Sequence, residues 1–195
     1  MDALIVLCHP REESLCHAVT RRCEDAVRRA GGSFTTHDLY RERFDPVLSR
    51  EEMDRGFSFD EQVQLHGREV AQARLLVFVH PDWWGQPPAL LKGWIDRVFR
   101  PGVAYDLASD GTDATQRTVP LMSGKKARVF CTSDTENPVG SLELVWTRGV
   151  FEFCGIRDVE VSVLANARLS AGARRQAWLE GVDGTVDRAL ARPQA

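Results

Sequence analysis

The sequence predicts an α/β protein in which five parallel strands form one doubly wound sheet with helices on both faces. Five short runs of mainly apolar or β-branched residues recur along the 195 residues, and such runs are typical of strands that are covered on both faces. Segments with apolar residues at helical spacing lie between these runs. Because strands and helices alternate and no repeat or linker interrupts them, we expect a single domain spanning residues 1–195.

The first half of the chain begins with a strand, a helix and a second strand. Residues 3–7 read Ala-Leu-Ile-Val-Leu and predict a buried strand. Apolar residues then recur on one helical face over residues 15–30, where two glycines stop the helix. A second strand is predicted at residues 33–39 and a helix near residues 60–73. The stretch between them, residues 40–59, is expected to be irregular.

The second half starts with the most regular strand pattern, Leu-Leu-Val-Phe-Val at residues 75–79. Residues 102–124 carry turn-forming Asp, Gly and Pro residues and are expected to be irregular, as functional loops often are. The remaining predicted elements are a helix near residues 88–99, a strand at 127–132, a helix at 142–153, a strand at 159–164 and a helix after Ala171.

The composition argues against several classes of function. With Lys+Arg 25 and Asp+Glu 28 the formal net charge is −3, so no basic excess favours nucleic acid or an anionic membrane surface. No apolar run approaches the roughly 18 residues of a membrane span, and the N-terminus lacks a secretory signal pattern. The five cysteines form no C-x-x-C pair, which predicts free thiols rather than zinc ligands or disulfides. We therefore expect a cytoplasmic protein without a metal site.

Three loops are expected to meet at the carboxyl ends of the strands, where doubly wound sheets bind ligands. The first loop (residues 9–14) leads from His9 into a helix whose first N–H groups have no partner within the helix, so it could hold a phosphate. Alternatively, Ser14 acts only as the N-cap of that helix. The sequence contains neither G-x-G-x-x-G nor G-x-x-x-x-G-K-[ST], which argues against Rossmann dinucleotide sites and P-loops.

The two other loops favour a flat ligand. The tryptophan loop (residues 80–88) places Trp83 and Trp84 among three prolines, and a rigid aromatic loop suits a flat conjugated molecule. An interface or a packing role is the alternative. The polar loop (residues 132–138) could offer backbone N–H groups to the heteroatoms of a ring. A phosphate site, an aromatic shelf and a polar loop together predict a mononucleotide with a flat head group, namely a flavin.

Several motifs resemble those of one known family. Residues 78–84 read F-V-H-P-D-W-W, residues 88–99 read P-A-L-L-K-G-W-I-D-R-V-F, and residues 102–105 read G-V-A-Y. The D-L-Y and F-D-P triplets within residues 38–46 and the F-C-G of residues 153–155 fit the same pattern. Over most of its length the chain therefore resembles the flavodoxin-like NAD(P)H:quinone oxidoreductases.

The resemblance implies a flavodoxin-like fold and a flavin-dependent enzyme that takes electrons from NAD(P)H and passes two of them to a quinone-like acceptor. It implies FMN or FAD as the cofactor and a homodimer with active sites at the subunit interface. Tyr105 matches a position that lines the acceptor pocket, reached from the other subunit, and is the candidate catalytic residue. The positions implied to bind the flavin are His9, Ser14, Leu15, Cys16, Pro81, Asp82, Trp83, Trp84, Gly85, Thr132, Ser133 and Asp134.

Some residues depart from the family pattern. Cys16 stands where many relatives have Asn. Ser133 and Asp134 replace the usual Gly-Gly, which changes how closely the backbone can approach the ring and places a carboxylate near it. The Tyr and His that well-studied quinone reductases carry after the polar loop have no counterpart in residues 135–155.

Two other functions stay open on the sequence. A flavodoxin-type one-electron carrier commonly has a strongly acidic surface, which the net charge of −3 does not favour. A flavoprotein that serves as a regulatory subunit of an ion-efflux system would share the same motifs. The sequence also leaves open the choice between FMN and FAD, the choice between NADH and NADPH, and the physiological acceptor.

Overall fold

Five parallel strands form the central sheet of the protein, for which the computed structural model describes residues 1–108, 117–136 and 140–191. In chain order the strands are β1 (Ala3–Leu7), β2 (Phe34–Asp38), β3 (Leu75–Pro81), β4 (Tyr105–Ala108), β5 (Arg117–Pro120), β6 (Lys126–Thr132) and β7 (Asp158–Leu164). The sheet order is β2-β1-β3-β6-β7. With the separate β4–β5 pair set aside, this is the 2-1-3-4-5 order of flavodoxin-like folds, as expected.

Helices cover both faces of this sheet. They are α1 (Leu15–Arg29), α2 (Arg50–Arg55), α3 (Glu61–Gln72), α4 (Ala89–Val98), α5 (Ser141–Leu144), which continues into a π-helical segment at Val145–Glu152, and α6 (Gly172–Leu190). α1 and α6 pack on one face, whereas α3, α4 and the π-helical segment pack on the other. None of the described helices is both long and apolar enough to cross a membrane.

β1 and the first five residues of β3 are continuously apolar because both faces of these two central strands are buried. Every residue of β1 and β3 is buried. Along β1, Ile5 packs in the core beneath α1 and α6, whereas Leu4 and Val6 pack in the core on the opposite face. A sheet covered on both sides therefore produces continuous apolar runs rather than alternating ones, and the five predicted strands are confirmed.

Two stretches that were expected to be irregular contain regular structure. Residues 40–59 include α2, which has no buried residue and hence no apolar periodicity. Its start is nevertheless encoded by a capping box between Ser49 and Glu52. Residues 102–124 include β4 and β5, which pair with each other in antiparallel fashion. Residues 109–116 of that stretch lie outside the described part of the chain.

α4 packs closely against the chain that precedes α2. A Cβ atom on Gly93 would lie 2.2 Å from the backbone oxygen of Pro46, so a side chain at this position would collide with that loop. Arg97 is buried and donates hydrogen bonds to Glu52 Oε1 at 2.7 Å and to Asp60 Oδ2 at 3.1 Å. The Gly and Arg of the L-K-G-W-I-D-R motif therefore hold the connection between β2 and α3 in place.

Candidate functional site

The loops after β1, β3 and β6 meet at the carboxyl edge of the sheet and border a cavity of about 390 Å³. Pro81 lies directly opposite Thr132 in the sheet register, which places the tryptophan loop beside the polar loop. A cavity of this size suits a small-molecule ligand. The predicted site residues that line it are His9, Ser14, Leu15, Pro81, Asp82, Trp83, Thr132 and Asp134.

Other residues that line the cavity were not singled out from the sequence. Arg11 and Glu13 belong to the first loop, whereas Ala167, Arg168 and Arg175 follow β7. β7 is the neighbour of β6 in the sheet, so the segment after it reaches the same cavity. The available signal was the pair of basic residues that follows the last predicted strand, but its relevance depends on the strand order.

One end of the cavity is suited to an anion. Ser14 is the N-cap of α1, and its Oγ accepts a hydrogen bond from the backbone N–H of His17 at 3.3 Å. The N–H groups of Leu15 and Cys16 occupy the first two helical positions, which have no acceptor within the helix and lie at the positive end of its dipole. Ser14 also lines the cavity, so the cap and the phosphate interpretations of the first loop are compatible.

Two polar residues next to Ser14 extend the site towards β2. His17 Nδ1 lies 3.0 Å from Ser14 Oγ, and His17 Nε2 lies 3.2 Å from Asp38 Oδ2. His17 is buried on α1 and Asp38 is the last residue of β2. Neither residue could be singled out from the sequence, because this contact depends on β2 pairing with β1, which brings the end of β2 beside α1.

Cys16 does not present its side chain to the cavity. The thiol is buried, and its Sγ lies 3.6 Å from Thr132 Oγ1. Burial raises the pKa of Cys16 to about 11, so the thiol stays neutral and packs α1 against the end of β6. All five cysteines are free, as the sequence predicts, and all five are buried.

The tryptophan loop forms a tight turn that exposes an indole. Trp83 and Gln86 exchange two backbone hydrogen bonds, at 3.1 and 3.2 Å. Between them, Trp84 has φ 61° and Gly85 has φ 73°, the positive values of a type I′ turn. Trp84 is fully exposed and Trp83 is 41% exposed. The alternative that Trp84 packs in the core is therefore wrong, because its side chain is fully exposed to solvent.

Asp82 connects the tryptophan loop to the polar loop. Its Oδ1 accepts a hydrogen bond from the Gly85 backbone N–H at 2.8 Å, and its Oδ2 accepts one from Ser133 Oγ at 2.8 Å. The Asp82 backbone N–H donates to the Thr132 carbonyl at 2.7 Å. The carboxylate thus holds the turn and joins two walls of the cavity.

The polar loop offers fewer backbone donors than expected. The N–H of Ser133 donates to the Leu164 carbonyl at 2.9 Å, and the N–H of Thr135 donates to Ser133 Oγ at 3.2 Å. Asp134 accepts a hydrogen bond from the Arg168 backbone N–H at 3.1 Å. These two donors are satisfied within the protein, and the Asp134 carboxylate is tied to the segment after β7. Residues 137–138 of this loop lie outside the described residues.

His80 is a buried residue of β3 that supports the start of the tryptophan loop. Its Nε2 accepts a hydrogen bond from Trp146 Nε1 at 3.0 Å, and its Nδ1 lies 2.9 Å from the Pro81 carbonyl, to which it donates. Burial lowers the pKa of His80 to about 4, so the ring is neutral with its proton on Nδ1. His80 is not among the site residues predicted from the sequence, yet its hydrogen bond to the Pro81 carbonyl orients the backbone at the cavity wall.

Tyr105 lies apart from the cavity. Its half-buried ring packs edge-on against Phe153, with centroids 5.1 Å apart. It lines a separate groove of about 250 Å³ together with apolar residues that include Met53 and Phe57. Within one chain the candidate catalytic residue is therefore separated from the cofactor residues, and a link through a second subunit stays a prediction.

A histidine pair elsewhere in the described residues resembles a metal site without suiting a metal. Ligand atoms of His37, Glu42 and His66 lie within 4.8 Å of one another. Trp94 Nε1 donates to His66 Nδ1 at 2.8 Å, and desolvation lowers the pKa of His66 to about 3. Neutral His66 therefore carries its proton on Nε2, the nitrogen that faces Glu42 at 3.5 Å and that a metal would need.

Known proteins share this fold and are similar in sequence to this protein over most of its length. A family model described as flavodoxin-like fold matches residues 1–183. An uncharacterized NAD(P)H oxidoreductase of Haemophilus influenzae is 31% identical over 190 residues, which cover 92% of this chain and 91% of that protein. The NAD(P)H dehydrogenase (quinone) 1 of Cavia porcellus is 28% identical over 187 residues, which cover 81% of this chain and 66% of that protein.

A solved structure with bound FMN shares the fold. The FMN-dependent NADH-azoreductase of Bacillus anthracis, in complex with FMN, superposes with a TM-score of 0.72 at 16% identity and covers 98% of this chain and 100% of that one. The resemblance found in the sequence is confirmed by the family match and the two relatives. The chain therefore belongs to the family of flavodoxin-like fold, in which proteins similar to it are named NAD(P)H oxidoreductases and NAD(P)H dehydrogenases (quinone).

Proposed function

We propose that this protein is a flavin-dependent oxidoreductase that takes electrons from NAD(P)H and passes two of them to a quinone or a similar small acceptor. The observation that carries the proposal is the cavity at which the start of α1, the tryptophan loop and the polar loop converge. NAD(P)H-dependent oxidoreduction is the activity for which its relatives are named. The proposal adds the flavin and the acceptor.

The residues of the cavity fit a flavin from end to end. The N–H groups at the start of α1, with Arg11, Arg168 and Arg175 among the lining residues, suit a phosphate. Pro81 and Trp83 supply a rigid wall for a flat ring. Both FMN and the FMN half of FAD have a phosphate and a flat ring that suit these two parts of the cavity. A bound flavin would supply the electron-transfer chemistry, whereas the protein binds it, orients it and limits the access of water.

We further propose that the working unit is a homodimer. Trp84 is fully exposed and held at positive φ, and Phe153, which contacts Tyr105, is 49% exposed. Covering these groups with a second copy of the chain would bury apolar surface. It would also allow Tyr105 of one subunit to approach the cavity of the other. Light scattering at micromolar concentration tests this point, and a stable monomer would contradict it.

The flavin is tested by purifying the full chain and identifying any flavin that is released on denaturation. We expect FMN or FAD at about one per chain, and oxidation of NADH or NADPH that depends on an added quinone. A folded protein, judged by circular dichroism, that takes up neither FMN nor FAD would overturn the proposal. Flavin binding without turnover on a panel of quinones would instead favour a regulatory flavoprotein.

A matched pair of arginine variants tests the place of the phosphate. Arg175 lines the cavity, whereas its neighbour Arg174 is exposed and does not. We expect Arg175→Ala to weaken FMN binding by roughly fivefold through loss of a charge near the phosphate, and Arg174→Ala to leave it unchanged. Equal effects of the two substitutions would show that the anion end of the cavity lies elsewhere.

A further inference from the structure

The hydrogen bonds around His17 fix where its protons lie. The Asp38 carboxylate has only acceptor oxygens, and His17 Nε2 lies 3.2 Å from Asp38 Oδ2, so the proton of a neutral His17 is on Nε2. Its Nδ1 then carries only a lone pair and accepts a hydrogen bond from the Ser14 hydroxyl, whose oxygen lies 3.0 Å away. With His17 neutral, the Ser14 hydroxyl therefore has no proton left for the cavity.

A phosphate at the start of α1 favours the opposite arrangement. Phosphate oxygens are acceptors, and a Ser14 Oγ that presents only lone pairs to the cavity would repel them. When Nδ1 of His17 also carries a proton, it donates to Ser14 Oγ, and the Ser14 hydroxyl can turn its own proton towards the phosphate. The Asp38 carboxylate stabilises the positive charge that results.

We propose that His17 is a positioning residue for the phosphate of the flavin, because it takes up one proton at Nδ1 when the phosphate binds and so converts Ser14 into a donor towards the cavity. The inference rests on the proposed function, since it requires a flavin phosphate at the start of α1. The proton comes from solvent and is held by the imidazole ring, and only hydrogen bonds are rearranged.

The charges that face His17 come from α1, the first loop and the end of β2. Asp38 is also 3.7 Å from Arg41 Nε. The ring of His9 lies with its centroid 6.4 Å from that of His17, and burial lowers the pKa of His9, which favours its neutral form. The other charged residues that line the groove beside His17 are Glu12, Glu13, Arg21 and Glu24. His9 is the other imidazole at this end of the site, so the experiment must separate its effect from that of His17.

The test compares two ligands that differ only in the phosphate. The full chain, freed of flavin and checked for folding, is titrated with FMN and with riboflavin by calorimetry between pH 6.5 and 8.5. Buffers of different ionisation enthalpy report the number of protons taken up on binding. For the wild type, we expect FMN binding to take up protons within this range and FMN affinity to fall as the pH rises, by up to about tenfold for each pH unit over which one proton is taken up. Riboflavin affinity should stay nearly constant.

Three variants assign the proton. His17→Gln should bind FMN with little dependence on pH beyond that of the free phosphate, and Ser14→Gly, which preserves a helix cap, should do the same. His9→Gln should retain proton uptake even if it binds FMN less tightly. If His17→Gln fails to fold, Asp38→Asn serves instead and should reduce proton uptake by removing the charge that stabilises protonated His17.

The outcomes separate this inference from the proposed function. Binding of FMN with the same pH profile and the same proton uptake in the wild type and His17→Gln would overturn the role of His17 and leave the flavin proposal intact. Loss of proton uptake in His9→Gln rather than in His17→Gln would also overturn it. Failure of the folded wild type to bind either flavin would overturn the proposed function together with this inference.

Discussion

Ser133 Oγ donates a hydrogen bond of 2.8 Å to Asp82 Oδ2, and this bond ties the polar loop to the tryptophan loop. Ser133 is buried, so its side chain is turned into the protein rather than towards the cavity. The other oxygen of Asp82 holds the Gly85 N–H of the exposed turn. The Ser133 side chain thus stabilises two walls of the cavity through the Asp82 carboxylate.

Replacing Ser133 by Ala should destabilise the fold by about 1–2 kcal/mol. The substitution removes the donor to Asp82 and the acceptor of the Thr135 N–H, which lies at 3.2 Å. Urea unfolding monitored by tryptophan fluorescence measures the change. Ser123→Ala, at an exposed turn before β6, is the matched control and should be neutral. Equal stabilities of the two variants would show that the bond between the loops contributes nothing.

Replacing Trp84 by Asn should separate fold stability from ligand binding. Asn adopts positive φ more readily than Trp, and the indole makes no core contact, so we expect an unchanged or slightly higher melting temperature. We expect flavin binding to weaken by about 1–3 kcal/mol if the ring packs against the indole.

Fluorescence titration with FMN and a thermal melt measure the two effects of Trp84→Asn. Val47→Asn changes another exposed apolar residue that does not line the cavity, and should affect neither. If flavin affinity and oligomeric state both stay the same in Trp84→Asn, the exposed indole has no role in the site.

The stability of the protein should fall as the pH falls from about 6.5 towards 4, in part because of His80. Burial lowers the pKa of His80 to about 4 in the folded protein, whereas an exposed histidine has a pKa of about 6.5. The unfolded chain therefore binds more protons in this range, and acid favours unfolding. The contribution of His80 is fully present above about pH 6.5 and is lost as the pH falls to about 4, by up to roughly 3 kcal/mol.

Unfolding in urea at pH 7 and pH 5 measures this dependence. In His80→Gln the difference in unfolding free energy between the two pH values should be smaller than in the wild type. Because the variant also loses the hydrogen bond from Trp146, only the pH dependence, not the absolute stability, tests the argument. If the unfolding free energy of His80→Gln depended on pH as strongly as that of the wild type, groups other than His80 would be responsible for the dependence.

Replacing Tyr105 by Phe should slow the reaction with the acceptor more than the reaction with NAD(P)H, because the resemblance places Tyr105 at the acceptor pocket. Stopped-flow measurements resolve the two half-reactions. The chain has two tyrosines, so Tyr40→Phe provides the matched control. If Tyr105→Phe slowed only the half-reaction with NAD(P)H, the role proposed for Tyr105 at the acceptor pocket would be wrong.

Much of the fold follows from local patterns in the sequence. β1 and β3 are recognisable because burial on both faces selects a continuous apolar run. α1 is recognisable because one face packs on the sheet and Ser14 caps its start. α2 and the β4–β5 hairpin were missed because α2 buries no residue and the hairpin strands are only four residues each, too short for a periodic signal.

The candidate site divides in the same way. His9, Pro81 and Thr132 could be placed together from the sequence because the carboxyl ends of parallel strands lie on one edge of the sheet. The exposure of Trp84 depends on the turn geometry, which the sequence did not reveal.

Contacts between distant segments were decided only by the tertiary structure. The hydrogen bonds from His17 to Asp38 and from Ser133 to Asp82, and the approach of Arg168 to the cavity, join segments that are far apart in the chain. The sequence by itself determined the five strands of the central sheet, the helices that cover it and which loops end at the binding edge. The strand order and the packing of α1 beside β2 determined which polar groups meet, because a hydrogen bond depends on distances of about 3 Å that no local pattern encodes.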